Sequence, residues 1–273
     1  MSTHDSTTNR DSQAYWNKRA TTFTRDATSD YEHWLLDLLA LEAGDEVLDM
    51  GCATGTLAVP LARAGHRVHG CDFAEAMLAI LDERAAAEHL PITSHLLAWE
   101  DDWEAAGLGT DSVDVAFASR SLMAEAVGPF VAKLDSAARS RAAVVVPASL
   151  LPSRDPRLLT YLGRTAKRPR VVRDVTRALT SLGRIPVVAT TRTFRPMRFP
   201  SFDEARADLR RLAGPEPFTA REQRLFDAYS AQHIVRRAAK SPSGETSQVW
   251  VLDYALPVTW VFIGWRTDGS PWG

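Results

Sequence analysis

The stretch VLDMGCATG, residues 47–55, runs from apolar residues through one acid, Asp49, into Gly51, Cys52, Ala53, Thr54 and Gly55. Residues that small at the end of a strand let a ligand lie against bare backbone, and glycine reaches dihedral angles closed to other residues. A second apolar run, HRVHGCD, ends about 20 residues on in Asp72, where an acid can take two hydroxyls of a ribose. The pair suits a nucleotide-like cofactor.

Glycine-rich turns serve several nucleotides, so the pattern has to discriminate. A phosphate-binding P-loop needs a lysine after its glycines, and none follows Gly55. The NAD fingerprint G-x-G-x-x-G needs glycines at 53 and 56, which are Ala53 and Thr56. What remains is G-x-A-x-G.

The elements that must position these residues alternate. Residues 12–41 read as helical, with Gly44 closing the segment. EVLDMG reads as a buried strand, TLAVPLARAG as a helix, HRVHGCD as a strand and AEAMLAILDERAAAEHL as a helix stopped at Pro91. ITSHLLAW, VDVAFAS and RAAVVVPAS read as further strands, with a polar turn EDDWEAAGLGTDS and a helix AEAVGPFVAKLDSAARS between them. Strands alternating with helices of this length imply right-handed crossovers and a mainly parallel, doubly wound α/β sheet. Beyond Pro152 the alternation loosens. RDVTRALTSLG reads as a helix and RIPVVATTRTFRPMRF as a long strand; two amphipathic helices follow over 201–240, before SQVWVLDYA and TWVFIGWR return to strand pattern.

On the segments VLDMGCATG, GCDFAEAML, LLAWEDDW and VDVAFASRSL, in that order, the sequence resembles the class I S-adenosylmethionine-dependent methyltransferases. The resemblance implies a Rossmann-like, seven-stranded sheet with an N-terminal helical cover and a late helical cap insertion at about 201–240. It implies one methyltransferase domain over 13–265, its cofactor-binding part at 13–150; the polar start, residues 1–12, reads as a disordered N-terminus. S-adenosyl-L-methionine is the implied cofactor. Carried over by position, Asp49 organises the loop or meets the methionine amino group, and Gly51, Cys52, Ala53 and Gly55 lie against the methionine part and the sugar. Asp72 binds the ribose hydroxyls, Phe73 and Met77 flank the adenine, Trp99 and Glu100 complete its site, and Ser119 touches the methionine end. Tyr15, Trp16 and Arg19 fold over the cofactor, with Arg19 placed to pair with its carboxylate. Two positions depart from the family: Ala53 replaces its central loop glycine, and Trp99-Glu100, followed by Asp101 and Asp102, replaces its small-plus-acid pair.

The sulfonium of that cofactor is already an activated methyl donor, so the protein's task is to hold an acceptor in line and exclude water. A base is needed only for a protonated acceptor; His233 and Tyr229 are candidates, and Arg120, just after the fourth strand, is a candidate orienting cation. Simpler readings stand beside these: Asp49 as a loop brace, Phe73, Met77 and Trp99 as core, Asp101 and Asp102 as turn formers.

Charge is unevenly spread. Residues 1–150 carry 23 acids against 11 Lys/Arg, whereas residues 151–240 carry 8 against 20, so the basic part lies outside the cofactor motif. Arg192, Arg195 and Arg198 recur near strand spacing, Arg206, Arg210 and Arg211 share a helix, and TAKRPR around Arg168 reads as an exposed loop. These are solvated faces, or a field that draws in an anionic small-molecule acceptor. Nucleic acid is disfavoured because aromatic residues do not interleave with the arginines. RNA or protein methylation, and a silent binding or assembly role, are the alternatives. Two cysteines, Cys52 and Cys71, make neither a disulfide scaffold nor a zinc pattern, and no metal is expected. The polar start and the lack of a long apolar run point to a cytoplasmic protein without membrane insertion.

Overall fold

The apolar runs that end at the two acids become neighbouring strands. The computed structural model describes residues 12–20, 23, 30–122, 126–148, 153–165, 170–195, 197–240 and 246–272. In chain order the elements are α1 (Gln13–Arg19), α2 (Asp30–Leu39), β1 (Glu46–Met50), α3 (Ala58–Arg63), β2 (Arg67–Asp72), α4 (Glu75–Glu88), β3 (Ile92–Leu96), β4 (Val113–Ser119), α5 (Gly128–Ala137) and β5 (Ala138–Pro147). They continue with α6 (Pro156–Leu162), α7 (Val171–Ser181), β6 (Val187–Arg195), β7 (Arg198–Phe199), α8 (Phe202–Leu212), α9 (Ala220–His233), β8 (Ile234–Lys240), β9 (Thr246–Leu252) and β10 (Leu256–Arg266). Two compact units result, one of Met1–Val146, Val171–Ala189 and Val261–Gly273, the other of Pro147–Arg170 and Thr190–Trp260.

A seven-stranded sheet runs in the order β3-β2-β1-β4-β5-β10-β6, and its first five strands are mutually parallel. This is the Rossmann-like, doubly wound arrangement. Val47, Leu48 and Met50 of β1, and Val113, Val115, Ala116, Phe117 and Ala118 of β4, are all buried. Parallel strands covered on both faces read as continuous apolar runs, which is why these were recognisable as strands. From β1 the chain steps outward to β2 and β3, then crosses back to β4 on β1's other side. Connections leave in opposite directions at the carboxyl ends of β1 and β4, the switch point where open α/β sheets bind their ligands.

The second unit packs α6, α8 and α9 with a three-stranded antiparallel sheet, β7-β9-β8, around Leu158, Leu209, Leu212, Phe226, Ile234 and Leu252. α9 begins with a reciprocal capping box, the Thr219 hydroxyl accepting from the Glu222 N–H and the Glu222 carboxylate from the Thr219 N–H. The helical reading of 220–240 stops short: α9 ends at His233, and Ile234–Lys240 pairs residue by residue with β9, from Ile234 opposite Leu252 to Lys240 opposite Thr246. Arg, Ala and Lys in that stretch are good helix formers, but β-branched Ile234 and Val235 at its head and the ladder it joins decide for strand. Likewise α5 gives way to β5 at Ala138, and the long arginine-bearing strand divides into β6 and β7.

Residues 1–11 and the stretch around Arg168 lie outside the described residues, as does the Arg195 side chain. No described helix is long and apolar enough to cross a membrane.

Candidate functional site

The turn after β1 is held in an unusual backbone path. Gly51, Ala53 and Gly55 all have positive φ, at 81°, 50° and 81°. The Gly51 and Cys52 N–H groups both donate to the Cys71 carbonyl, at 2.7 and 2.9 Å, pinning the turn to the end of β2. What comes close to the bare backbone is the protein itself. A Cβ on Gly51 would lie 2.2 Å from Cβ of Ser121, and one on Gly55 would lie 2.4 Å from Cδ1 of Leu81. The Ser121 hydroxyl donates to the Met50 carbonyl at 2.5 Å, which fixes that approach. Cys52 and Asp49 are buried, while Gly51 and Ala53 keep partial exposure.

Asp72 braces the same turn. Its Oδ2 accepts from the Ala53 N–H and its Oδ1 from the Ala74 N–H, both at 2.9 Å. A carboxylate has about four acceptor positions, so after these and the Phe73 N–H one is left for a further donor such as a ribose hydroxyl. Burial pushes the Asp72 carboxyl above its ordinary range, opposed by the N–H groups of Ala74, Ala53 and Phe73. Burial, with Asp49 and Asp72 nearby, also pushes both thiols up, so Cys52 and Cys71 are unreactive packing residues at neutral pH.

The N-terminal helix is tied to this place. The Ser12 hydroxyl caps α1 by accepting from the Tyr15 N–H, Gln13 donates to the Phe73 carbonyl at 2.8 Å, and Asn17 accepts from the Ala76 N–H at 3.0 Å. Trp16, Phe23 and Ala53 pack on a buried cluster of Ala20, Ala74 and Met77, with Tyr15 edge-on to Trp16 at 5.4 Å. Trp16, Ala53 and Met77 thus come together; Arg19 sits exposed on α1. Gln13 and Asn17 were missed, since amides on a short polar helix carry no spacing signal.

At the end of β3 the side chains shape the turn. Trp99 packs at a tilt against the rings of Trp103, at 5.6 Å, and Phe130, at 5.2 Å. Asp101 accepts from the Ala98 N–H at 2.7 Å and Asp102 from the Ala105 N–H at 3.2 Å, so both carboxylates serve the turn. Glu100 is exposed. Lys133 of α5, another residue missed, donates to the Trp99 and Asp101 carbonyls at 2.8 and 2.6 Å.

At the end of β4, Ser119 meets the Tyr31 hydroxyl at 2.7 Å. Arg120 follows with φ at 63°, a strained value for a side-chain-bearing residue, and its guanidinium lies over the Tyr31 ring at 4.2 Å. Tyr31 falls at helical spacing with Leu35 and Leu39, all three buried. Its burial was therefore readable, whereas its hydroxyl partner was not. Segment 119–121 thus carries a hydroxyl, a cation and the residue packed on Gly51.

Tyr229 and His233 sit on α9 in the second unit. The Tyr229 hydroxyl donates to Tyr254 at 2.9 Å, and Tyr254 donates in turn to buried Asp155, the cap of α6. Burial pushes Tyr229 up to about 12, which keeps it a donor at neutral pH. Nδ1 of His233 lies 2.9 Å from Asp253, an arrangement that leaves Nε2 to accept a proton. Among the described residues no cluster of His, Cys, Asp and Glu could hold a metal ion.

Residues 47–140 match the family described as "Methyltransferase domain". An uncharacterized protein of Haemophilus influenzae is 31% identical over 132 residues, covering 46% of this chain and 47% of its own length. Glycine N-methyltransferase of Oryctolagus cuniculus is 34% identical over 99 residues, 33% of this chain and 34% of that one. The chain spans about half or less of the length of these curated relatives. In fold it is similar to Haemonchus contortus phosphoethanolamine N-methyltransferase 2, solved with phosphomonomethylethanolamine and S-adenosylhomocysteine, at 14% identity over 94% of this chain and 58% of that one, TM-score 0.52. The class that fold and site define is thus the methyltransferase domain, carried by residues 47–140. Around that segment the fold is similar to that of geranyl diphosphate methyltransferase, solved in complex with S-adenosylmethionine, at 16% identity over 96% of this chain and 92% of that one, TM-score 0.51.

Proposed function

We propose that this chain transfers a methyl group from S-adenosylmethionine to a small, anionic acceptor by in-line displacement. The observation that carries the reading is the Asp72 carboxylate, whose two oxygens accept the Ala53 and Ala74 N–H groups beside the positive-φ turn and which keeps acceptor capacity for a further donor. In this reading Asp72 holds the ribose hydroxyls, and the turn from Gly51 to Gly55 faces the sugar and methionine part. Phe73, Met77, Trp99 and Glu100 border the adenine, while Tyr15, Trp16 and Arg19 cover it from α1. Asp49 braces the loop, and Ser119 meets the methionine end.

When bound, the cofactor supplies a methyl on a sulfonium, already activated for transfer. The protein's residues orient and enclose. In this reading Arg120, stacked on Tyr31 at the end of β4, holds an anionic group of the acceptor, since a guanidinium pairs bidentately with carboxylate or phosphate. A small anionic acceptor also fits the names of two similar proteins, one acting on glycine and one solved with a phosphorylated amine. Where the acceptor must lose a proton, His233 with Asp253 is the proton-accepting candidate and Tyr229 a donor.

Calorimetry with S-adenosylmethionine tests the carrying observation. Asp72→Ala removes two charge-assisted hydrogen bonds and should weaken binding by about 2 to 4 kcal/mol. Unchanged affinity would remove Asp72 from the site, and no binding by the unaltered chain would leave a silent binding protein.

A further inference from the structure

β6, Val187–Arg195, is the last strand of the seven-stranded order, with β10 on one side and, among the described residues, no strand on the other. Nine residues is long for an edge. Natural proteins blunt such edges with proline, lysine, bulges or short length, because the unpaired N–H and C=O groups template another chain. VVATTRTFR contains neither proline nor lysine, and its charges, Arg192 and Arg195, fall in the second half of the strand. Val188, Thr190, Arg192 and Phe194 alternate onto one exposed face, Val188 at 52% and Phe194 at 62% exposure. Ile185, just before the strand, is also exposed.

We propose that β6 pairs antiparallel with β6 of a second copy, about a two-fold axis through Thr191. Residues directly opposite in an antiparallel pair share a face, so the axis must lie on a residue and each register can be judged by what it brings together. Centred on Thr191, Val188 faces Phe194 of the partner copy twice, and Thr190 faces Arg192 twice. β-branched with aromatic is a favourable cross-strand pair. Centred on Arg192 instead, two guanidinium groups would oppose each other directly; centred on Thr190, Phe194 would meet Pro186 and Val188 would meet Arg192. Only the Thr191 register matches apolar to apolar and keeps the cations off each other. The interface is isologous and closes at two copies.

Light scattering on the full chain after size exclusion, over a series of micromolar concentrations, should give the mass of two chains. Val188→Lys and Phe194→Lys should each raise the dimer dissociation constant by about tenfold or more, with unchanged far-UV circular dichroism. A second arm does not depend on those variants folding. Thr191→Cys places a thiol opposite its own copy and should link into a covalent dimer with a short bis-maleimide, whereas Thr193→Cys, displaced from its copy along the ladder, should not. The native thiols are buried and do not compete. A monomer at every concentration would overturn the proposal. So would a dimer that survives Phe194→Lys, or linking at 193 as readily as at 191.

Discussion

Two turns at the carboxyl ends of parallel strands are built by opposite means. After β1, residues 51–55 are shaped by what they lack: three positive φ angles and two positions where a Cβ would run into Ser121 or Leu81. After β3, residues 98–105 are shaped by what they carry: Asp101 and Asp102 on backbone N–H groups, Trp99 against two rings, and Lys133 across the carbonyls. The first should fail on addition of atoms and the second on their removal.

Gly51→Ala should give the largest effect. The new Cβ would have to displace Ser121 while the backbone holds φ at 81°, so overpacking and strain add to about 3 to 5 kcal/mol of lost stability. Urea unfolding measures it. Adding Ser121→Gly should restore the overpacking share, leaving on the order of 1 kcal/mol from the dihedral. A double variant no more stable than Gly51→Ala would mean that the Ser121 approach is not what demands glycine.

Asp72 stands between the two kinds of turn, a side chain that braces a backbone-built loop. Its folded pKa lies above the ordinary 3.8 because burial disfavours the charge. A raised folded value means that Asp72 favours the fold below the unfolded pKa and loses this contribution as pH rises through the folded one. Cofactor binding has the opposite sign, since ribose hydroxyls donate best to the ionised carboxylate. Acidification from neutral should therefore weaken S-adenosylmethionine binding before an ordinary aspartate would protonate, and Asp72→Asn should flatten that dependence. Calorimetric affinity against pH is the check; an equally steep profile in the variant would place the titrating group elsewhere.

The same contrast governs what the sequence revealed. The strands of the first unit were legible because parallel strands buried on both faces leave continuous apolar runs, and the turn after β1 because small residues have few other uses in a row. The long-range contacts were hidden: Ser121 reaches that turn through Met50, 71 residues away in sequence, and Tyr31 meets Ser119 at the end of β4 across 88 residues. In the second unit, Ile234–Lys240 is strand only because β9 pairs with it, a long-range fact that local helix propensity opposes. Between these lies the turn after β3, where the acids were visible and their division of labour was not.

That division gives the smallest expected effects and the finest test. Asp101→Ala removes the acceptor for the Ala98 N–H and should cost about 1 kcal/mol of stability, the usual worth of such a side-chain to backbone bond. Glu100→Ala, one residue earlier and exposed, should change stability by under about 0.5 kcal/mol. If Glu100 borders the adenine, its loss should appear in affinity for S-adenosylmethionine while Asp101→Ala, once folded, binds nearly as before. Measured side by side, unfolding free energy and cofactor affinity should therefore exchange rank between the two variants. The same rank in both measurements would mean that one acid does both jobs, and that the turn after β3 is built on the site rather than beside it.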